Sequence, residues 1–429
     1  MDLINGCHRF IQINLIGQIM RRFTKNLSRP SVLACACSSL LLATVAQAQE
    51  SNPYYAGATL RTTSNSNINL ARAAQAQSDK MTSVGLQTGV DQSFGRQKVL
   101  IGLSANNNIF AKYTNNNHTD YSLSGKLDWE TIERLSGTFT IGSSQSRYVD
   151  PNASVTSSDL NLLRATNMGL QARLGDVTAL TFEGGMSLSQ NKYSALAYRN
   201  YNLIQQAVNA GVRFRPMGGI SLWTGLRHTN GRYPNYYTGA DEVRRNDIDL
   251  IGDARFTGAS SVNARLSMTR ESHSALAARD YQSWTGGLGW TWQPTGKLKL
   301  GLNMGHDSNV GAIDYAFNLI ATSDSQISTR INLTAEWELT SILNLTAGWS
   351  DARRTLDNSL TVAGNSAVRS GKDNTTVASL GLRYTPLRNA ELGCSLAVTD
   401  RSTSEAETST VTYPYHQRLL SCYGQLQLR

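Results

Sequence analysis

The sequence predicts an all-β fold: a transmembrane antiparallel up-and-down barrel of about 18 strands (16–18), with short periplasmic turns and long extracellular loops. Three observations predict it. Stretches of about ten residues alternate between apolar and polar side chains, the period and length of a tilted strand that crosses a bilayer. Short polar turns alternate with longer polar links along the chain. Mean hydropathy is only −0.31 over 429 residues, as expected when alternate residues alone touch lipid.

The clearest repeat is Trp284-Thr-Gly-Gly-Leu-Gly-Trp290-Thr-Trp292-Gln-Pro-Thr-Gly296-Lys-Leu-Lys-Leu-Gly-Leu-Asn-Met304. Trp284, Leu288, Trp290, Trp292, Leu298, Leu300, Leu302 and Met304 share one parity, while the other holds Thr285, Gly287, Gly289, Thr291, Lys297, Lys299, Gly301 and Asn303. An apolar outside and a polar inside follow from that pattern.

Short turns read from Gly, Pro, Asp and Thr fall near Ser93–Arg96, Thr131–Arg134, Gly175–Thr178, Pro216–Gly218, Thr257–Ala259, Gln293–Gly296, Thr340–Ser341 and Pro386–Arg388. Longer links are expected near 63–80, 114–118, 148–160, 191–200, 229–245, 271–282, 308–327, 351–373 and 400–414. Alternation of the two kinds sets the strand count and places both termini on the short-turn side. No stretch after residue 50 approaches the roughly 20 apolar residues of a transmembrane helix, and no composition shift divides the chain. Residues 49–429 therefore read as one barrel domain.

Residues 1–48 read as a cleaved secretory signal peptide. Arg21, Arg22, Lys25 and Arg29 precede the apolar run Val32–Val45, and Ala46-Gln47-Ala48 is a small-x-small cleavage site before Gln49. The stretch before Met20 is long for such a signal, so Met1 and Met20 both stand as starts. Leu33-Ala34-Cys35 resembles a lipobox, but almost no apolar core precedes it. Loss of this segment removes Arg9, Arg21, Arg22, Lys25, Arg29 and Asp2. The formal +9 of 40 bases and 31 acids then becomes +5, with 35 bases against 30 acids. Those bases are scattered singly among strands, so no nucleic-acid partner is expected.

Aromatic residues Trp129, Phe214, Phe256, Trp292, Trp337 and Tyr384 sit on the apolar parity beside short turns, where an interface girdle is expected. Trp284, Trp349, Tyr121 and Tyr113 lie near the other strand ends. The inward parity carries the candidate lumen lining: Arg173, Arg213, Arg215, Arg227, Trp223, Asp249, Asp253, Arg255, Glu336, Glu338, Arg383 and Tyr423. Lys126, Arg265, Asp128, Glu183, Asp247 and Phe110 share that parity. Such a mixed lining contains no single-sign ring of a dedicated ion filter. Of the five cysteines, Cys394 and Cys422 follow the cleavage site. They are equally far from the loop centre near Thr408, which places them opposite one another, either as a cross-strand disulfide or as two lipid-facing thiols.

No catalytic, metal or cofactor site is expected. Histidines are isolated and lack paired ligand spacing. His306-Asp307-Ser308-Asn309 has the His-x-Ser spacing of an outer-membrane phospholipase, a remote alternative, and His228-Thr229-Asn230-Gly231 matches it more loosely. The downstream Ser-Arg-Ser-Trp pattern of that family is missing.

Several stretches resemble the β-barrel proteins encoded in exopolysaccharide biosynthesis operons, the EpsL-type barrels. They are Gly57-Ala-Thr-Leu-Arg61 running into Ser66-Asn67-Ile-Asn-Leu70, and Gly95-Arg-Gln-Lys98. Tyr121-Ser-Leu-Ser-Gly-Lys-Leu-Asp-Trp129 with Arg134-Leu-Ser-Gly-Thr138, the stretch Trp284–Lys297, and the hairpin of Cys394 and Cys422 complete the set. The resemblance implies an outer-membrane component of exopolysaccharide export working beside a periplasmic co-polymerase and exporter. It supplies no catalytic residues. General or solute-specific diffusion, and a non-conducting structural or adhesive barrel, are the alternatives. Outer-membrane lipid and the barrel-assembly machinery are the partners any such barrel implies. The chain finishes Gln425-Leu-Gln-Leu-Arg429 instead of on the aromatic residue usual for recognition by that machinery.

Overall fold

A computed structural model describes residues 52–132, 134–149, 160–175, 179–236, 239–275, 280–308, 325–362, 365–404 and 412–428. The expected signal peptide, including Ala48 and Gln49, lies outside the described residues.

The first six strands are β1 (Tyr54–Asn65), β2 (Asp79–Phe94), β3 (Gln97–Phe110), β4 (His118–Glu130), β5 (Leu135–Arg147) and β6 (Leu162–Leu174). Next come β7 (Leu180–Tyr193), β8 (Leu203–Met217), β9 (Ile220–Tyr236), β10 (Gly239–Thr257), β11 (Ser260–His273) and β12 (Tyr281–Thr295). The last six are β13 (Leu298–Asp307), β14 (Ser325–Thr340), β15 (Leu343–Val362), β16 (Asn365–Leu387), β17 (Ala390–Thr403) and β18 (Tyr415–Leu428).

Each strand pairs antiparallel with its sequence neighbours, and β1 also pairs with β18, from Ala56 opposite Leu428 to Asn65 opposite Leu419. The sheet is a closed 18-stranded barrel. Closure leaves no strand edge, so ladder hydrogen bonds satisfy the backbone without water, which is the condition for strands to stand in hydrocarbon.

Alternation determines what faces each way. Leu86, Val84, Leu226, Ile248, Phe256, Leu380 and Leu426 point outwards and are exposed on the barrel wall. Arg213, Arg227 and Asp249 point the other way: across strands Arg227 pairs with Asp249, and Arg213 with Glu183. An exposed apolar band on a closed antiparallel barrel of even strand number places the protein in an outer membrane.

The short turns lie where the sequence places them, except that residue 133 and residues 176–178 of two of them lie outside the described residues. Gly219 (φ +88°) makes the β8–β9 reversal, and the left-handed backbone there suits a residue without Cβ. Beside five of these turns the register shifts by a bulge: Phe214/Met217, Arg255/Thr257, Trp292/Thr295, Glu338/Thr340 and Tyr384/Leu387. Bulges at a barrel rim bend the strand into its turn.

Two expected links are corrected. Positions 229–245 and 351–373 are largely strand: β9 runs to Tyr236, β10 begins at Gly239, β15 runs to Val362 and β16 begins at Asn365. Above the bilayer nothing selects an apolar outer face. Outward positions on β10 change from Leu250 and Ile248 to Asn246, Arg244 and Glu242, and the period-two hydropathy signal ends while the ladder continues.

Phe214, Phe256, Trp292, Trp337 and Tyr384 are exposed on the outer face near the short turns. Trp129 is outward too, its ring against Gly137 of β5. Trp290 and Trp292 stack on that face at 5.7 Å. At the far ends Trp284 and Trp349 are exposed outward, whereas Tyr113 lies in the β3–β4 link. Cys394 and Cys422 are directly opposite on β17 and β18, on the outer parity, and form a disulfide.

Candidate functional site: the barrel lumen

Inward side chains form three zones. The first is at the short-turn end of β7–β10. Arg213 Nε donates to Glu183 Oε1 at 2.6 Å, and its Nη1 donates to Asp253 Oδ2 at 3.0 Å. Ser221 joins the same pair. Beside it Trp223 is buried against two glycines: a Cβ at Gly211 would stand 2.6 Å from the indole Cζ2, and one at Gly225 2.6 Å from Cη2. The indole therefore lies flat along the wall instead of projecting into the lumen. Arg215 Nη1 donates to Thr181 at 2.5 Å. With Arg255, Asp253, Ser221 and Asn263, Arg215 lines a recess of about 910 Å³.

The second zone climbs β9–β13. Arg227 bridges Asp249 at 3.1 Å and Asp247 at 3.3 Å. Above it Arg245, with no exposed surface, donates to Asp247, to Asp307 at 2.9 Å and to Ser308 Oγ at 2.7 Å. Arg265 holds the other oxygen of Asp307 at 2.7 Å. His273 lies between Asp241 (2.8 Å) and Glu271 (3.1 Å). Charges buried this deeply are stable only when each has a hydrogen-bonded counterpart, and here they interlock over five strands.

The third zone covers β14–β18 and the seam with β1. Arg354 holds Asp373 at 2.7 Å, and Thr412 donates to the same carboxylate at 2.8 Å. Tyr423 lies over Gly393, donates to Glu391 at 2.5 Å and carries the Arg61 guanidinium 5.3 Å above its ring. Lys299 and Glu336 are 3.9 Å apart and exposed. Glu338 and Arg383 occupy inward positions opposite Asn344. Arg173, opposite Ser136, donates to Thr138 at 3.4 Å. The structure thus gathers Arg213, Asp253, Trp223, Arg215 and Arg255 in one zone and Arg227 and Asp249 in the next. Arg173, Glu336, Glu338, Arg383 and Tyr423 are spread around the remaining wall.

Sequence reasoning missed Arg245, Glu271, Arg354, Asp373 and Arg401, all within or at the edge of stretches taken as links. A signal was there: Asp241, Val243, Arg245, Asp247 and Asp249 continue the inward parity without a break. The His-x-Ser pairing of the phospholipase alternative is corrected. His306 faces outwards and its Nδ1 bonds Thr329 Oγ1 at 2.8 Å. Ser308 follows the end of β13 and turns inwards, where its hydroxyl donates to Glu271 at 2.8 Å. The two side chains have separate partners on separate faces, so the base cannot activate that hydroxyl. His228 Nδ1 similarly contacts Asn246 on the outer face, and Asn309 lies outside the described residues.

No protein-family model and no curated relative matches the sequence. Among solved structures, OpdK of Pseudomonas aeruginosa with vanillate is similar at 12% identity and TM-score 0.46, over 87% of this chain and 99% of that one. OccK2 (OpdF) of the same organism in complex with glucuronate gives 13% and 0.48, over 88% and 98%. The siderophore receptor PirA of Acinetobacter baumannii gives 10% and 0.41, over 89% and 81%. Identities and scores at this level transfer neither family nor substrate. The barrel's own strand number, apolar outer band and polar inner wall define its class: it is a porin-like outer-membrane β-barrel.

Proposed function

We propose that the protein is a diffusion porin for small polar solutes. The observation that carries this reading is the inner wall. Several of its charges are held as cross-strand pairs, among them Arg213 with Glu183 and Arg227 with Asp249, and two of its large aromatics, Trp223 and Tyr423, lie along the wall over glycines. Such a lining keeps a wetted path beside the strands instead of a packed core, and 18 strands enclose enough space for one. Purified protein in planar bilayers should give stepwise, salt-dependent currents. A barrel that inserts and stays silent would sink the proposal.

A second reading is export of an exopolysaccharide with a periplasmic co-polymerase, supported by the motif resemblance at Tyr121–Trp129 and Trp284–Lys297. It predicts that deleting the gene strands polysaccharide in the periplasm. Unchanged secretion in the deletion strain would remove this reading and leave diffusion intact.

A further inference from the structure

The link between β1 and β2, residues 66–78, departs from the wall. Its first turn is closed by Asn67, whose Nδ2 donates to Ala71 O at 2.7 Å and whose Oδ1 accepts from Ala71 N at 2.9 Å. Leu70 takes a positive φ of 51° inside that turn. One side is tied to β18: Asn67 Nδ2 donates to His416 O at 3.1 Å, and Gln417 Nε2 donates to Asn67 O at 3.0 Å. The other side is tied to β5: Arg147 donates from Nη1 to Ile68 O at 2.9 Å and from Nη2 to Asn69 Oδ1 at 2.8 Å.

Those two anchors cannot both be met along the wall. Passing from β18 through β1, β2, β3 and β4 to β5 takes five strand spacings, roughly 24 Å at about 4.8 Å each. Residues 67 to 69 span at most about 7 Å of backbone. Only a path inside the ring, completed by the long Arg147 side chain, is short enough. The same guanidinium sits 5.6 Å from the ring of Phe110, a buried inward residue at the end of β3, which places the junction at the inner rim of the mouth. Asn67 and Ile68 are buried accordingly. From the far side of the turn, Arg72 lies 4.6 Å over the Tyr413 ring, and the adjoining Thr412 bonds Asp373 of β16. A run of contacts therefore crosses from β5 to β16 inside the mouth.

We propose that residues 67–72, locked by Arg147 and backed by Thr412 and Tyr413, are the constriction that sets the size of solute the pore admits. The proposal deepens the diffusion-porin reading and rests on it.

Two readouts test it. In a Cys394→Ser/Cys422→Ser background, Asn69→Cys with Arg147→Cys is bridged by a short bis-methanethiosulfonate reagent, whose spacer stands in for the long Arg147 side chain, seen as a mobility shift reversed by reductant. Absence of that bridge in folded barrels overturns the crossing itself. In bilayers and in liposome swelling with sugars of increasing size, replacing residues 69–76 by two glycines raises single-channel conductance about twofold and enlarges the sugar that enters, as removal of an obstruction from a water-filled mouth requires. Arg147→Ala, which frees the bar without shortening it, shifts both in the same direction by less. If both variants conduct and exclude sugars as the parent does, the constriction is overturned and diffusion stands. If parent and variants are all silent, the diffusion reading falls and the constriction with it, whatever the crosslink shows.

Discussion

At the residue scale, the lumen is kept clear by pairs of one large and one absent side chain. Trp223 spreads over Gly211 and Gly225, and Tyr423 over Gly393. Aromatic cover of a strand glycine shields its backbone from water and gives the ring a flat seat. The seat at Gly225 tolerates no Cβ: one would stand 2.4 Å from Ala210 O and 2.6 Å from the indole. Gly225→Ala should therefore lift the Trp223 ring into the lumen and lower single-channel conductance, and Trp223→Ala in the same chain should restore it. A parent-like conductance in folded Gly225→Ala would show that the ring is not held by that glycine. The Arg245 network follows a different rule. Nothing about Arg245 alone distinguishes it from a solvated charge; its role comes from Asp247 on its own strand and from Asp307 and Ser308 at the end of β13 converging on it.

At the element scale, the hairpin is the repeating unit, and most of it was legible in the sequence. Turn chemistry at Gly95, Gly175, Gly218 and Pro386, with an apolar parity between turns, points to about eighteen strands, the number observed. Legibility ended where lipid ended. The β9–β10 hairpin rises beyond the apolar band, so its outward positions turn polar and it reads as a loop; the β15–β16 ladder likewise runs on through a stretch taken as a link. The crossing at 67–72 was illegible for another reason. It depends on Asn67, Arg147 and Gln417, ordinary polar residues brought together over long sequence separations. The lumen parity was readable, but the partner of each charge was not. The last hairpin supports a prediction of its own. Cys394 and Cys422, separated by 28 residues, lock β17 to β18 next to the β18–β1 closing seam. Restricting an unfolded loop of that size is worth about 3–4 kcal/mol on the chain-entropy account. Cys394→Ser/Cys422→Ser should still close the barrel, since the ladder remains, but should convert from the compact to the unfolded gel band at lower temperature. Equal conversion temperatures for the two proteins would show that the bridge adds nothing to the folded barrel.

At the scale of the whole molecule, the arrangement of charge matters more than its sum. The chain carries a formal excess of bases, yet many of the inward charges are neutralised locally. Lys98 with Asp91, Lys126 with Asp128, Arg213 with Glu183 and Asp253, Arg227 with Asp249, and Arg354 with Asp373 each place both signs within a few ångströms. At physiological salt a paired charge contributes little field beyond about 8 Å, so a hydrated ion crossing the lumen meets alternating weak fields and no single-sign filter. Weak ion selectivity follows: under a KCl gradient the reversal potential should stay close to zero. Opening one pair should change that with a known sign. Arg213→Ala removes the cation and leaves Glu183 and Asp253 facing the same zone, which attracts potassium over chloride. Its reversal potential should move towards the potassium limit, while Lys299→Ala, at a loose and exposed pair, should move it far less. A strongly selective parent pore, or an Arg213→Ala shift towards chloride, would mean that paired wall charges do not control ion passage and that the unbalanced field lies elsewhere along the path.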